Sequence, residues 1–166
     1  MTQWIIALLT TCMVAFSVAA APLPQPEGPV ILSVTGNIQN TQDGKTARFD
    51  LAQLQALQSD TFTLQTRWSD DIHSYHGPLL SAVLDSVGAK GERLRLTALN
   101  DYSVEFDRHY IDKYEPIMAW NEDGKRLSVR EKGPLWLILP HHKFAELNGE
   151  LHTGRMIWQL TKIEID

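Results

Sequence analysis

The side chains with the most chemical potential in this chain are its six histidines, its single cysteine and its scattered serines and paired carboxylates. His73 and His76 are three residues apart, His141 and His142 are adjacent, and His109 and His152 stand alone. Neutral imidazole is a good ligand for zinc or copper. The pair His73-x-x-His76 falls in a loop-like stretch, however, and no HExxH helix occurs. The histidines therefore read as surface and turn residues, with no metal site. None of the serines between Ser33 and Ser128 lies in a G-x-S-x-G elbow, which argues against a nucleophilic hydrolase. Asp70-Asp71 and Glu122-Asp123 read as solvated turns, and Gly88-Ala89-Lys90-Gly91 reads as a helix exit rather than a phosphate loop.

Three segments carry more specific chemistry. Thr66-Arg67-Trp68-Ser69-Asp70 places a cation and an indole at a strand end. There the indole can stack on a flat ligand and the guanidinium can fork to its acceptors. Asn100-Asp101-Tyr102 offers an amide, a carboxylate and a phenol at one tight turn. Gly133-Pro134-Leu135-Trp136-Leu137-Ile138-Leu139-Pro140 runs an apolar strand between two prolines. Its Trp136 is either core or a ligand contact.

The elements that must position these groups are mostly strands. Val30 to Val34, Thr61 to Thr66, Arg93 to Leu99, Ser103 to Phe106, Ile117 to Trp120, Arg126 to Arg130 and Leu135 to Leu139 read as strands. Asp43-Gly44 is a hairpin signal, and Asp123-Gly124 lies between two of the strands. Leu135 to Leu139 is fully apolar and is expected to be central. Met156 to Ile165 alternates imperfectly, and a bulge near Thr161 would repair its phase. Asp50 caps a short helix from Leu51 to Leu57. Pro78 to Val87 is the clearest helix, opened by Pro78 and stopped by Gly88. The balance predicts one α+β domain with a mixed sheet and a few short helices.

Residues Trp4 to Val18 are almost entirely apolar and end in Val18-Ala19-Ala20-Ala21. The run is short for a membrane span and predicts a signal peptide, residues 1–20, cleaved after Ala20. No Lys or Arg precedes it, so an uncleaved anchor is the alternative. A lipoprotein site at Cys12 is rejected because Thr11 is a poor residue before a lipidated cysteine. Residues 21–29 are a proline-rich tether and residues 30–166 the domain. The expected location is the periplasm. Cys12 is the only cysteine, so the mature chain has no disulfide, thiolate ligand or thiol nucleophile. With 15 Lys and Arg against 20 Asp and Glu, the chain offers no general attraction to nucleic acid.

Taken in order, five motifs resemble the oxidoreductase molybdopterin-binding domain of the sulfite-oxidase type. They are Thr66-x-Trp68, His76-Gly77-Pro78-Leu79-Leu80-x-x-Val83-Leu84 leading to Gly88, and Ala98-Leu99-Asn100-Asp101-Tyr102. Asn121-x-x-Gly124-x-x-Leu127 then leads to Gly133 to Pro140, and Trp158-x-x-x-x-Ile163 closes the series. The resemblance covers Val30 to Ile165. It implies a mixed α+β domain holding a pterin-dithiolene molybdenum cofactor, with one cysteine binding the metal near the strand that matches Thr61 to Trp68. No cysteine lies there. The resemblance then implies a non-catalytic periplasmic pterin-binding protein that needs no cofactor and binds pterin without molybdenum. Its partner would be the periplasmic domain of an inner-membrane cyclic-di-GMP enzyme or sensor kinase. The expected ligand contacts are Thr66, Arg67, Trp68, Asn100, Asp101, Tyr102 and Trp136, with Asp101 accepting from the guanidine-like pterin edge and Trp68 stacking. The alternatives are a molybdenum-cofactor oxidoreductase lacking the cysteine ligand and a ligand-free protein-interaction module.

Overall fold

A computed structural model describes residues 23–166, so the expected leader and its cleavage after Ala20 lie outside the described residues. In chain order the elements are β1 (Leu32–Gly36), β2 (Ala47–Phe49), α1 (Leu51–Gln55), β3 (Ser59–Gln65), β4 (Ile72–Pro78), α2 (Leu80–Ser86), β5 (Arg93–Ala98) and β6 (Ser103–Asp107). They continue with α3 (Arg108–Tyr114), β7 (Ile117–Ala119), β8 (Asn121–Glu122), β9 (Lys125–Arg126), β10 (Trp136–Ile138), α4 (Glu150–Thr153) and β11 (Leu160–Ile165). The fold is α+β, with four short α-helices among mostly antiparallel strands in the described residues.

A five-stranded sheet runs β2-β1-β11-β5-β6, with β1 and β11 parallel and the other neighbours antiparallel. A four-stranded sheet runs β3-β4-β8-β9, and β10 pairs with β7 in a separate two-stranded ribbon. Two apolar clusters follow this division. One packs Leu32, Val34, Leu94, Leu96 and Ile163 against Leu80, Val83 and Leu84 of α2. The other packs Phe62, Leu64 and Tyr75 against Ile117, Trp136 and Ile138. Alternation explains the strand faces: Phe62 and Leu64 are buried while Thr61, Thr63 and Gln65 are exposed.

Several expectations hold and others shift for clear reasons. The register of β11 against β5 slips between Leu160 and Lys162, which is the expected bulge at Thr161. Asp50 caps α1, accepting from Gln53 N–H while the Gln53 side chain accepts from Asp50 N–H. Gly88 follows α2 in the left-handed region at φ 61°. Pro78, however, ends β4 instead of opening α2, whose N-cap is Leu79. The histidine-bearing segment is strand β4, and a loop was expected there; its alternation is masked because His, Ser and Tyr fill it. Of the strand expected from Arg126 to Arg130, only Arg126 lies in the short β9, and Val129–Glu131 form a 3₁₀ turn. Leu135 to Leu139 is buried as expected, but it lies in the two-stranded ribbon and not at the centre of the large sheet. Residues 23–29 are docked, since Glu27 and Gly28 N–H groups each donate to Asp50 at 2.8 Å. Gly77 lets β4 cross β7 closely, because a Cβ there would collide with the Met118 carbonyl.

Candidate functional site

A cleft of about 340 Å³ opens where the ends of the two large sheets approach each other. It is lined by Arg67 and Trp68 beyond β3, by Asn100 and Tyr102 in the β5–β6 turn, and by Gly154, Met156, Ile157 and Trp158 ahead of β11. Three chain segments far apart in sequence thus build one site. Its volume lies in the range of about 300–1,000 Å³ usual for small-molecule sites.

Aromatic packing sets the shape of the cleft. Trp136 is fully buried beneath it, and its indole N–H donates to the Met156 carbonyl at 3.1 Å. Trp68 meets Trp136 edge-on with ring centres 5.6 Å apart, and Trp158 lies 5.3 Å from Trp68 on the more open side. Trp158 is 37% exposed, so part of its surface remains for a ligand. The Gly154–Trp158 segment is held from behind by Arg155, whose guanidinium lies 3.9 Å from the Phe106 ring centre. Burial pulls the Arg155 guanidinium below its ordinary value.

The polar groups are placed with some selectivity. Asn100 Oδ1 accepts the Tyr102 N–H at 3.2 Å, which leaves the Asn100 amide nitrogen as the available donor. The Arg67 guanidinium carbon lies 5.6 Å from the Trp68 ring centre. Lys132 covers the Trp136 ring at 4.5 Å. Neither Arg67 nor Lys132 joins an ion pair among the described residues.

Of the seven contact residues expected from sequence, Arg67, Trp68, Asn100 and Tyr102 meet in this cleft. Asp101 does not line it. It occupies the corner of the turn at φ 63° and is exposed. Thr66 lines a neighbouring cavity with His141 and Asn148, and its buried hydroxyl has no hydrogen-bond partner. Trp136 corrects the expectation of a direct ligand contact: with no exposed surface, it is the floor that supports Trp68. Trp158 was missed because the alternation from Met156 to Ile165 placed it on the inner face of a strand. The strand begins only at Leu160, after Gln159 turns at φ 54°.

Beside this cleft, a second cavity of about 360 Å³ also uses Trp68 as a wall. Here Ser69 Oγ lies 2.9 Å from His73 Nε2, and His73 Nδ1 lies 2.6 Å from Asp123 Oδ2. The hydrogen bond to Asp123 holds the His73 imidazole above its ordinary value. His73 reciprocally holds the Asp123 carboxyl below the usual carboxylate range, with the Ser74 N–H adding to the effect. His76, three residues along β4, projects to the opposite face and bonds Thr61 Oγ1 at 2.9 Å. One metal ion therefore cannot bridge His73 and His76.

A scan against protein-family models and a search of the curated proteins each return no match.

Proposed function

We propose that this chain is a periplasmic pterin-binding protein of the sulfite-oxidase-type fold that signals to the outer domain of an inner-membrane cyclic-di-GMP enzyme or sensor kinase. The observation that carries this reading is the convergence of Arg67, Trp68, Asn100 and Tyr102 on one cleft. These residues come from two separate motifs of the sequence resemblance. A flat heterocycle can lie against the exposed surface of Trp158 beside Trp68, with the Asn100 amide nitrogen donating to a ring carbonyl and Arg67 reaching further acceptors.

The residues present do not fit molybdenum in the way the family implies. The strand end that would carry the metal-binding cysteine bears Thr66, Arg67 and Trp68, and the sequence's only cysteine is Cys12. A soft dithiolene-bound metal would lose its thiolate anchor here. The bound group is therefore the pterin alone, and the cleft performs recognition without redox chemistry.

Calorimetric titration with a reduced pterin tests this reading. The expected result is one site per chain, with Trp68→Ala weakening binding about tenfold, or roughly 1.4 kcal/mol. Absence of binding to the wild-type chain would overturn it.

A further inference from the structure

We propose that Ser69, His73 and Asp123 form a nucleophilic triad that hydrolyses a small neutral carboxylic ester. This inference is independent of pterin binding. It rests on the second cavity, which all three residues line.

The atoms meet in the order that the chemistry requires. Ser69 Oγ is 2.9 Å from His73 Nε2, within reach for proton transfer. The other imidazole nitrogen, Nδ1, is 2.6 Å from Asp123 Oδ2, and Asp123 Oδ1 is fixed by the Ser74 N–H at 2.8 Å. The carboxylate therefore selects the tautomer with the proton on Nδ1 and leaves Nε2 to accept from Ser69. Asp123 itself sits at φ 50° in the β8–β9 turn, where Asp is one of the few tolerated side chains. Ser69 Oγ also accepts the Asp71 N–H at 3.1 Å, which holds it in place without consuming its proton.

The cavity walls give the three residues a pocket for a substrate. Trp68 and Leu127 give an apolar wall, while Lys125, Arg126 and Lys132 bring positive charge to the same cavity. Glu122, Asp123 and Glu131 line the cavity as well, so its charges balance and the substrate is a neutral ester.

The reaction balances with water alone. Ser69 Oγ bonds to the acyl carbon as its proton moves to His73 Nε2. Asp123 offsets the charge on the imidazolium. Collapse breaks the acyl–alkoxide bond, and His73 returns the proton to the leaving alcohol. Water then attacks the acyl-serine, again giving its proton to His73, and the carboxylic acid leaves with Ser69 restored. Nothing is oxidised or reduced.

The test treats the mature wild-type chain with a fluorophosphonate and maps the adduct by peptide mass spectrometry. Hydrolysis of 4-nitrophenyl acetate is followed alongside. The expected results are an adduct on Ser69 and a fall in turnover of about 100-fold or more in Ser69→Ala and His73→Ala. No adduct on Ser69, or equal hydrolysis by wild-type and Ser69→Ala, would reduce the three residues to a clamp between loop and hairpin and overturn the proposal. The adduct is read in the wild-type chain, so a variant that fails to fold leaves the test intact. No pterin is present in the assay, so either reading can fail while the other stands.

Discussion

Trp68 is held between a buried indole and an exposed one, and this arrangement separates support from contact. Trp136 lies beneath it with its N–H satisfied, while Trp158 keeps open surface beside it. Trp136→Ala should therefore destabilise the fold by about 3–5 kcal/mol, read by urea denaturation. Trp158→Ala should leave the urea midpoint nearly unchanged and weaken pterin binding by about 1 kcal/mol, read by calorimetry. The sequence identified Arg67, Trp68, Asn100 and Tyr102 because each has a polar or amphipathic group at a strand end or turn. It could not separate the roles of Asp101 and its neighbours, because a single left-handed residue decides which side chains of a turn face the cleft. Nor could it join Ser69 and His73 to Asp123, which is fifty positions beyond His73 and reaches it only through the pairing of β4 with β8.

At the scale of elements, two small devices fix the geometry. Asp50 caps α1 and also accepts N–H bonds from Glu27 and Gly28. The Gln53 and Gly28 N–H groups, in that order, hold its carboxyl below the usual range. Asp50→Ala should cost about 1–2 kcal/mol in a urea melt through loss of the cap. The His73–Asp123 bond ties β4 to the β8–β9 turn. Because the folded His73 value is raised, its stabilisation is complete below the ordinary imidazole value and fades as pH rises through the raised one. Because the folded Asp123 value is depressed, its share is complete above the ordinary carboxylate value and fades as pH falls through the depressed one. Melting temperature should thus gain most from the pair between about pH 4 and 6.5. His73→Gln should flatten the decline on the alkaline side of that window. The strands with clean alternation, and the bulge at Thr161, were legible from sequence. Helix α3 was not, since only Ile111 and Tyr114 of its seven residues are buried and its apolar stripe is too thin to register.

For the whole molecule, the sequence indicated an α+β domain whose strands outnumber its helices, and the structure has that character. The division into a five-stranded and a four-stranded sheet was hidden, because pairing β1 with β11 depends on contacts between the two ends of the domain. That division matters for function: the cleft forms where the two sheets approach, and neither sheet alone carries enough of its wall. The central claim is that this cleft holds a pterin without a metal. It is tested most directly by purifying the protein natively, releasing its ligand in acid and weighing it by mass spectrometry, with elemental analysis of the same sample. The account predicts a pterin in near-stoichiometric amount and no molybdenum. Stoichiometric molybdenum, or a released ligand that is not a pterin, would contradict it.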